Sequence, residues 1–249
     1  MKKNSGFTLV ELLVVIAIIA VLTSLTFVGY GKVKLSAHKA KSIANMRSLS
    51  TITMAMAQES NGNFPSLHLT NNQNPYWFSG QKRRIMEDQY GLTRDMCYTD
   101  SNECWKKDGY DICQNRELWD WQGGSSASVW GYSYLVNDAR NGEGSDWGAT
   151  GTFSPPEDFN QIKDSVTYVD ENGEERIRWI PRNMYDQCVY PLLWADLTRV
   201  YNGEPVGNFM KSSGRLLGTN IARIDGSVEW IPEERLKERF SNGSLKLVW

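Results

Sequence analysis

The hydrophobic positions divide the chain into one long helical segment and a larger remainder. Residues 12–31 carry no charged side chain, and about 20 apolar residues suffice for a helix to span a bilayer. Residues 32–60 contain neither Gly nor Pro, and apolar side chains recur there every three or four positions, at Ile43, Met46, Leu49, Ile52 and Met56. This spacing predicts one helix from about Phe7 to Ser60 with an apolar face on its second half. The pair Asn61-Gly62 is a natural stop for it.

The remainder, residues 62–249, shows short β-like runs separated by turn signals. Residues 165–180 are predicted to form a hairpin across Asn172-Gly173. Residues 221–231 predict a second hairpin, in which Asp225-Gly226 is expected to form a type I′ turn. Because this hairpin accounts for Asp225, its carboxylate is assigned a structural role and no chemistry. The predicted fold class is α+β, with the long N-terminal helix packed on a small antiparallel sheet and a loop-rich insertion beside it.

Composition and charge narrow the classes of function. The chain has 27 basic and 29 acidic residues, and this balance argues against a dedicated nucleic-acid binder, which should show a basic excess. A mean hydropathy of −0.47 indicates that most of the chain is water-soluble despite its apolar start. No G-x-S-x-G, phosphate-binding-loop or H-E-x-x-H motif is present, and the only histidines are His38 and His68. The sequence therefore predicts that the protein is not an enzyme.

The four cysteines suggest disulfide bonds. An even number fits two disulfides in an oxidising compartment, with the pairing left open. Residues 97–150 are rich in Gly, Ser, Asp and Trp. This composition predicts a loop-rich insertion that the disulfide bonds hold together. Reduced buried thiols are the first alternative, and a metal site is the second, although no C-x-x-C pair is present. The candidates are Cys97, Cys104, Cys113 and Cys188.

Two other features of the soluble region allow ligand binding without requiring it. Oxygen-bearing side chains in residues 137–147 suit Ca²⁺, but their spacing differs from the EF-hand loop, so a solvated acidic turn is the preferred interpretation and no cofactor is predicted. The candidate ligands are Asp138, Asn141, Glu143 and Asp146. The ten Trp and eleven Tyr residues would also serve a sugar-binding platform, but such residues more often fill a core or a subunit interface.

A carboxylate near the start of the apolar segment needs an explanation. Glu11 precedes residues 12–31 directly, and a carboxylate at membrane depth is costly unless a cation accompanies it. A cleaved secretory signal does not account for the pattern, because the apolar run is too long and no A-x-A site closes it. A plain signal anchor explains the length of the run but not Glu11. A free amine created by cleavage just before Phe7 would lie at a suitable depth.

These residues resemble a known family. Gly6-Phe7-Thr8-Leu9-Val10-Glu11, followed by a long apolar helix, resembles the class III signal of type IV prepilins and type II secretion pseudopilins. In that family a membrane peptidase cuts after the Gly and methylates the new N-terminal Phe. The resemblance implies cleavage after Gly6, an N-methylated Phe7, and a Glu11 carboxylate that pairs with the Phe7 amine of a neighbouring subunit. The Gly62–Pro65 stretch, GNFP, is similar to the major pseudopilin of type II secretion.

The resemblance also implies a domain organisation. A leader peptide would occupy residues 1–6, a transmembrane half-helix residues 7–31, an amphipathic soluble half-helix residues 32–61, and a globular domain residues 62–249. The implied function is that of a structural subunit of a type II secretion or type IV pilus-like fibre. Its expected partners are the prepilin peptidase and methyltransferase, other pilin or pseudopilin subunits, the inner-membrane assembly platform and the membrane, without nucleic acid.

The expected location is the bacterial inner membrane, crossed once. Lysines follow the apolar run at Lys32, Lys34, Lys39 and Lys41, and the positive-inside rule alone would favour an outside N-terminus. The topology of the resembled family implies instead a cytoplasmic N-terminus and a periplasmic C-terminal domain.

A second likeness lies near the C-terminus. The Asp225-Gly226 region resembles a bacterial pilin-like group in which a His precedes the Asp-Gly pair by nine intervening residues, but here Arg215 stands in place of that His.

Two alternatives to the function of a fibre subunit remain at this point. One is a membrane-anchored or surface-displayed binding protein, directed at polysaccharide or surfaces, that uses the pilin-like helix only as an anchor. The other is a membrane-anchored enzyme.

Overall fold

The computed structural model describes residues 8–68, 74–102, 104–106, 109–112, 116–120, 127–136, 152–170, 172–201, 203–211, 213–242 and 245–249. By its contacts the chain divides into two units, Met1–Ala40 and Lys41–Trp249. Helix α1 spans Leu9–Glu59 and contributes residues to both units.

The predicted end of α1 is confirmed. Asn61 has a φ of 56° and Gly62 a φ of 84°, so the chain leaves the helix through the left-handed region. The Gly62 N–H donates to the Ala57 carbonyl oxygen at 2.8 Å, which satisfies one of the carbonyl groups that a helix end leaves open.

The first part of α1 is apolar and exposed. The large side chains of Leu9–Leu22 lie on the surface; Leu13, for example, is 57% exposed. In the part of the chain that the structure describes, no helix has the length and apolarity needed to cross a membrane. The transmembrane half-helix at residues 7–31 therefore stays a prediction.

The second part of α1 buries the predicted apolar face. Met46, Leu49 and Ile52 are buried, and Met56 packs against the same core as a partly buried side chain. The stripe also contains buried polar residues that the periodicity does not predict, namely Ser42, Asn45, Ser50 and Thr53.

Besides α1, the described residues form two shorter helices, two 3₁₀ turns and sixteen short strands, joined by loops. Helix α2 spans Gly80–Tyr90 and α3 spans Phe159–Val166, and the 3₁₀ turns lie at Arg94–Cys97 and Glu233–Arg235. The strands are β1 Trp77–Ser79, β2 Trp105–Lys106, β3 Tyr110–Asp111, β4 Arg116–Glu117, β5 Ala127–Val129, β6 Tyr132–Tyr134, β7 Thr152–Phe153, β8 Thr167–Val169, β9 Glu175–Ile177, β10 Leu192–Asp196, β11 Thr198–Tyr201, β12 Glu204–Gly207, β13 Gly218–Arg223, β14 Val228–Pro232, β15 Glu238–Asn242 and β16 Leu245–Val248.

The strands pair in antiparallel sheets, which confirms the predicted α+β class. The largest have the strand orders β12-β11-β16-β15-β7 and β14-β13-β10-β6. The four-stranded sheet packs against α1, where the Trp194 indole N–H donates to Thr53 Oγ1 at 3.4 Å. Small sheets β2-β3-β4, β1-β5 and β8-β9 complete the pattern.

The aromatic residues build the core of Lys41–Trp249. Trp130 stacks on Phe78 with ring centroids 4.1 Å apart and on Trp194 with centroids 6.0 Å apart. Both Trp side chains are fully buried, and such aromatic pairs add stability beyond the area they bury. Trp130 and strands β5 and β6 fall inside residues 97–150, so part of the predicted loop-rich insertion belongs to the core.

The Asp225-Gly226 hairpin is confirmed, but its predicted turn type is wrong. A type I′ turn needs positive φ at both central residues, whereas Gly226 has a φ of 82° and Asp225 is not in that region. The Gly226 N–H donates to the Arg223 carbonyl oxygen at 3.0 Å, and the Arg223 N–H donates to the Ser227 oxygen at 2.9 Å. The loop is therefore a type I turn followed by a left-handed Gly. The Asn172-Gly173 hairpin repeats this hydrogen-bond pattern.

Candidate functional site

Of the predicted N-terminal signal, the structure describes Thr8 and the residues that follow it. Gly6 and Phe7 lie outside the described residues. Thr8 precedes the first helical residue, and its backbone N–H and its hydroxyl each donate to Glu11 Oε2 at 2.8 Å. In return, the Glu11 N–H donates to Thr8 Oγ1 at 3.2 Å. This reciprocal pair is a capping box, which satisfies two backbone donors that a helix start leaves open.

The capping box gives Glu11 a role that the sequence analysis did not identify. The signal was present, because Thr8-x-x-Glu11 matches the S/T-x-x-E pattern that precedes apolar helices. Among the described residues, Thr8 is the hydrogen-bond partner of the Glu11 carboxylate, and both of its bonds reach Oε2. The Glu11 side chain is exposed beside the apolar side chains of Leu9–Leu22, and within the described residues its Oε1 accepts no hydrogen bond.

A second polar site is buried under the other end of α1. Asp196, on β10, lies in the core with its carboxylate fully engaged. Its Oδ1 accepts hydrogen bonds from Ser42 Oγ at 2.6 Å and Asn208 Nδ2 at 3.0 Å. Its Oδ2 accepts from the Asn220 backbone N–H at 2.7 Å and from Asn220 Nδ2 at 2.9 Å. The carboxylate thereby ties α1 to strand β13 and to the residue that follows β12.

The electrostatics of this site are dominated by burial. Removal from water raises the pKa of Asp196 to about 6, although the hydrogen bonds from Ser42, Asn208 and Asn220 oppose the shift. Burial likewise raises the pKa of Tyr132, whose hydroxyl lies 3.5 Å from Ser42 Oγ. Because the Asp196 carboxylate already accepts four hydrogen bonds within the described residues, the arrangement suits a structural joint better than a catalytic acid.

The cysteines correct one prediction. Cys97 and Cys188 are free and buried, so the expectation of two disulfides that include them is wrong. Cys104 is disulfide-bonded, and Cys113 lies outside the described residues. Burial raises the pKa of the Cys97 thiol well above its usual value and that of Cys188 to about 12. A raised pKa keeps both thiols protonated and unreactive.

The structure shows which groups Asp225 and Arg215 contact in the C-terminal region. Asp225 Oδ1 accepts the Ser227 N–H at 2.9 Å, which agrees with its predicted role in the turn. Arg215, which occupies the position of the resembled group's His, forms an ion pair with Glu233, and Lys211 pairs with the same carboxylate. Arg215 therefore contributes to a surface ion-pair cluster.

The other ligand candidates receive no structural support. The calcium candidates Asp138, Asn141, Glu143 and Asp146 lie outside the described residues. Within those residues, no three or more His, Cys, Asp or Glu side chains are placed to hold a metal ion. The Trp side chains that the structure describes are buried or half-buried, and none is exposed as a flat platform for a sugar.

The comparisons with known proteins concern the N-terminal segment. The family described as the prokaryotic N-terminal methylation motif matches residues 1–27. No curated protein and no solved structure matches the chain significantly. The likeness of the Asp225-Gly226 region to a pilin-like group stays a prediction. The matched segment includes Gly6, Phe7 and Glu11, so the start of this chain is similar to the N-terminal methylation motif of prokaryotic proteins, as type IV prepilin-like and pseudopilin proteins carry it.

Proposed function

We propose that the protein is a structural subunit of a type II secretion or type IV pilus-like fibre. A prepilin peptidase cuts after Gly6, and Phe7 then becomes the methylated N-terminus. The apolar part of α1 holds the subunit in the bacterial inner membrane, with the N-terminus in the cytoplasm and the globular domain in the periplasm. Subunits then associate through this part of the helix on an assembly platform. The proposal assigns the protein no enzymatic activity.

The methylation-motif match over residues 1–27 carries the proposal. Two structural observations support it. Leu9–Leu22 present large apolar side chains on the surface, and contiguous exposed apolar surface is typical of contacts with lipid or protein. The Glu11 carboxylate beside them has no partner at Oε1 within the described residues, and pairing with the Phe7 amine of a neighbouring subunit needs an oxygen of this kind.

The mass of the N-terminal peptide tests the processing step. The full chain is co-expressed with a prepilin peptidase, and the N-terminal peptide is identified by mass spectrometry. We expect a peptide that begins at Phe7 and carries one additional methyl group. A chain that still begins at Met1, or one cut beyond residue 20, would contradict the proposal.

Variants of the capping box test the assembly role of Glu11. Glu11→Gln keeps a residue type that serves a capping box but removes the charge. Thr8→Ala removes the capping partner but keeps the charge. If Glu11 acts by pairing with an amine, Glu11→Gln and Glu11→Leu remain in the membrane but fail to join the fibre, whereas Thr8→Ala is incorporated. Normal incorporation of Glu11→Gln would rule out the charge pairing.

A further inference from the structure

A cleft of about 770 Å³ opens on the side of the globular unit formed by the two large sheets. Its walls include Leu192 on β10, Ile221 on β13, Ile231 on β14 and Arg239 on β15. This volume lies within the range of small-molecule sites, about 300–1,000 Å³. The cleft is distinct from the N-terminal signal and from the Asp196 network, and the proposed assembly does not use it.

The inner wall of the cleft is apolar and contains an unsatisfied donor. Leu192, Ile221 and Ile231 are buried there. Trp249 lines the same cleft and is 7% exposed, and its buried indole N–H has no hydrogen-bond partner within the described residues. Because buried donors in folded proteins are nearly always paired, this N–H indicates a missing acceptor.

The rim of the cleft carries charged side chains of both signs. The lining residues include four basic side chains and three acidic ones, and Glu229, which pairs with two of the basic ones from outside the lining, balances the charge. Lys237 is paired with Glu157, and Arg223 and Arg235 share Glu229 at 3.1 Å each. The basic residues are Arg223, Arg235, Lys237 and Arg239, and the acidic ones are Glu157, Asp158 and Glu234.

Arg239 is the basic residue of the rim without an ion pair in the described part of the chain. Its guanidinium carbon lies 5.7 Å from the centre of the Tyr190 ring. The Tyr190 ring also contacts Trp249 edge-on, with centroids 5.9 Å apart. Tyr190 is held in turn by its hydroxyl, which donates to the Ser154 carbonyl oxygen. Arg239 and Trp249 thus both contact the ring of Tyr190, which its own hydrogen bond holds in place.

We propose that this cleft binds a small carboxylate with an apolar body. The carboxylate pairs with the Arg239 guanidinium, and one of its oxygens accepts the Trp249 N–H. The apolar body packs on Leu192, Ile221 and Ile231. Arg239 is the basic side chain of the rim that this carboxylate would pair with, and a guanidinium binds a carboxylate more strongly than a neutral oxygen.

The test compares an anionic probe with a neutral probe that has the same apolar ring system. The full chain in detergent micelles is titrated by calorimetry with 2-naphthoate and with the neutral 2-naphthylmethanol, and micelles alone provide the blank. We expect 2-naphthoate to bind about tenfold more tightly, because a charge-assisted hydrogen bond replaces a neutral one. Equal affinities, or no heat above the blank with either probe, would overturn the proposal.

Variants locate the binding on the cleft. Arg239→Gln should abolish the preference for the anion, whereas Arg239→Lys should retain most of it. Trp249→Phe should weaken the binding of 2-naphthoate. Lys246→Gln is the matched control, because Lys246 pairs with Glu238 at 2.8 Å and does not line the cleft. An unchanged preference in Arg239→Gln, or its loss in Lys246→Gln, would contradict the assignment.

Discussion

The two parts of helix α1 depart in opposite ways from the rule that apolar side chains are buried and polar ones exposed. In the first part, Leu13 is apolar and 57% exposed, as are its large neighbours in Leu9–Leu22 to similar degrees. In the second part, Leu49 is fully buried, but so is Ser42. Burial along this helix therefore depends on which partners the rest of the chain supplies, and hydrophobicity alone does not decide it.

The partners explain the difference in physical terms. Ser42 and Asn45 are tolerated in the core because Asp196, Tyr98 and Tyr132 satisfy their hydrogen-bonding groups. The apolar first part has no counterpart among the described residues of its own unit, so its large side chains remain on the surface. Exposed apolar surface of this extent indicates a partner outside the chain.

A matched pair of leucine substitutions gives the largest expected effect. Leu49→Ala should lower the free energy of unfolding by about 2–5 kcal/mol, because it removes fully buried methyl groups and leaves a cavity. Leu13→Ala should change it by less than about 0.5 kcal/mol, since an exposed side chain loses little packing. Urea unfolding of the full chain in micelles, followed by Trp fluorescence, measures both values. Similar losses of unfolding free energy in the two variants would contradict the difference in burial between the two parts of α1.

The pH dependence of stability reports on the buried carboxylate. Asp196 has a pKa of about 6 in the fold against 3.8 for an ordinary Asp, so the folded state binds its proton more tightly than the unfolded state. Its contribution is fully present below pH 3.8 and is lost as the pH rises through 6. The loss amounts to about 3 kcal/mol at most.

Asp196→Asn isolates this contribution, because the amide does not titrate. The stability of the unmodified chain minus that of the variant should fall between pH 4 and pH 7. Taking the difference removes the opposite slopes from surface carboxylates such as Glu229, whose pKa is lowered chiefly by Arg223. A difference that stays constant or rises would show that the pKa of Asp196 is not raised in the fold.

Truncation of the buried amide on α1 should have an intermediate effect. Asn45 Nδ2 donates to the carbonyl oxygens of Tyr98 at 3.0 Å and Asp95 at 3.2 Å. Asn45→Ala leaves these acceptors without their donor, and we expect a loss of about 1–3 kcal/mol. Chemical denaturation checks the value, and Asn45→Asp serves as a companion variant that should be at least as destabilising because it buries a charge among acceptors.

The smallest effect on stability is expected for Lys41, which lies one helical turn before Asn45. Lys41 pairs with Asp95 at 2.5 Å, but both side chains are about half exposed. Lys41→Ala should therefore cost less than about 1 kcal/mol, and less still in high salt. A loss as large as that of Asn45→Ala would show that surface pairing, rather than the buried network, holds this part of the helix.

The features that the sequence predicted correctly depend on residues close together in the chain. The end of α1 at Asn61-Gly62, the apolar stripe of Met46, Leu49 and Ile52, and the hairpin at Asp225-Gly226 all follow from local spacing. The turn type was wrong because both loop types accept Asp-Gly, and they differ in the φ of Asp225 and in the register with which the two strands pair. The Thr8–Glu11 capping box was missed although its spacing is local.

The sequence by itself determined the N-terminal signal and the elements that short-range spacing defines. Only the tertiary structure decided which polar side chains are buried, which cysteines stay free, and where the cleft beside Trp249 lies. The physical reason is the distance along the chain between partners. Ser42 and Asp196 are 154 residues apart, so no periodicity links them, and their hydrogen bond exists only once the sheet has packed against the helix.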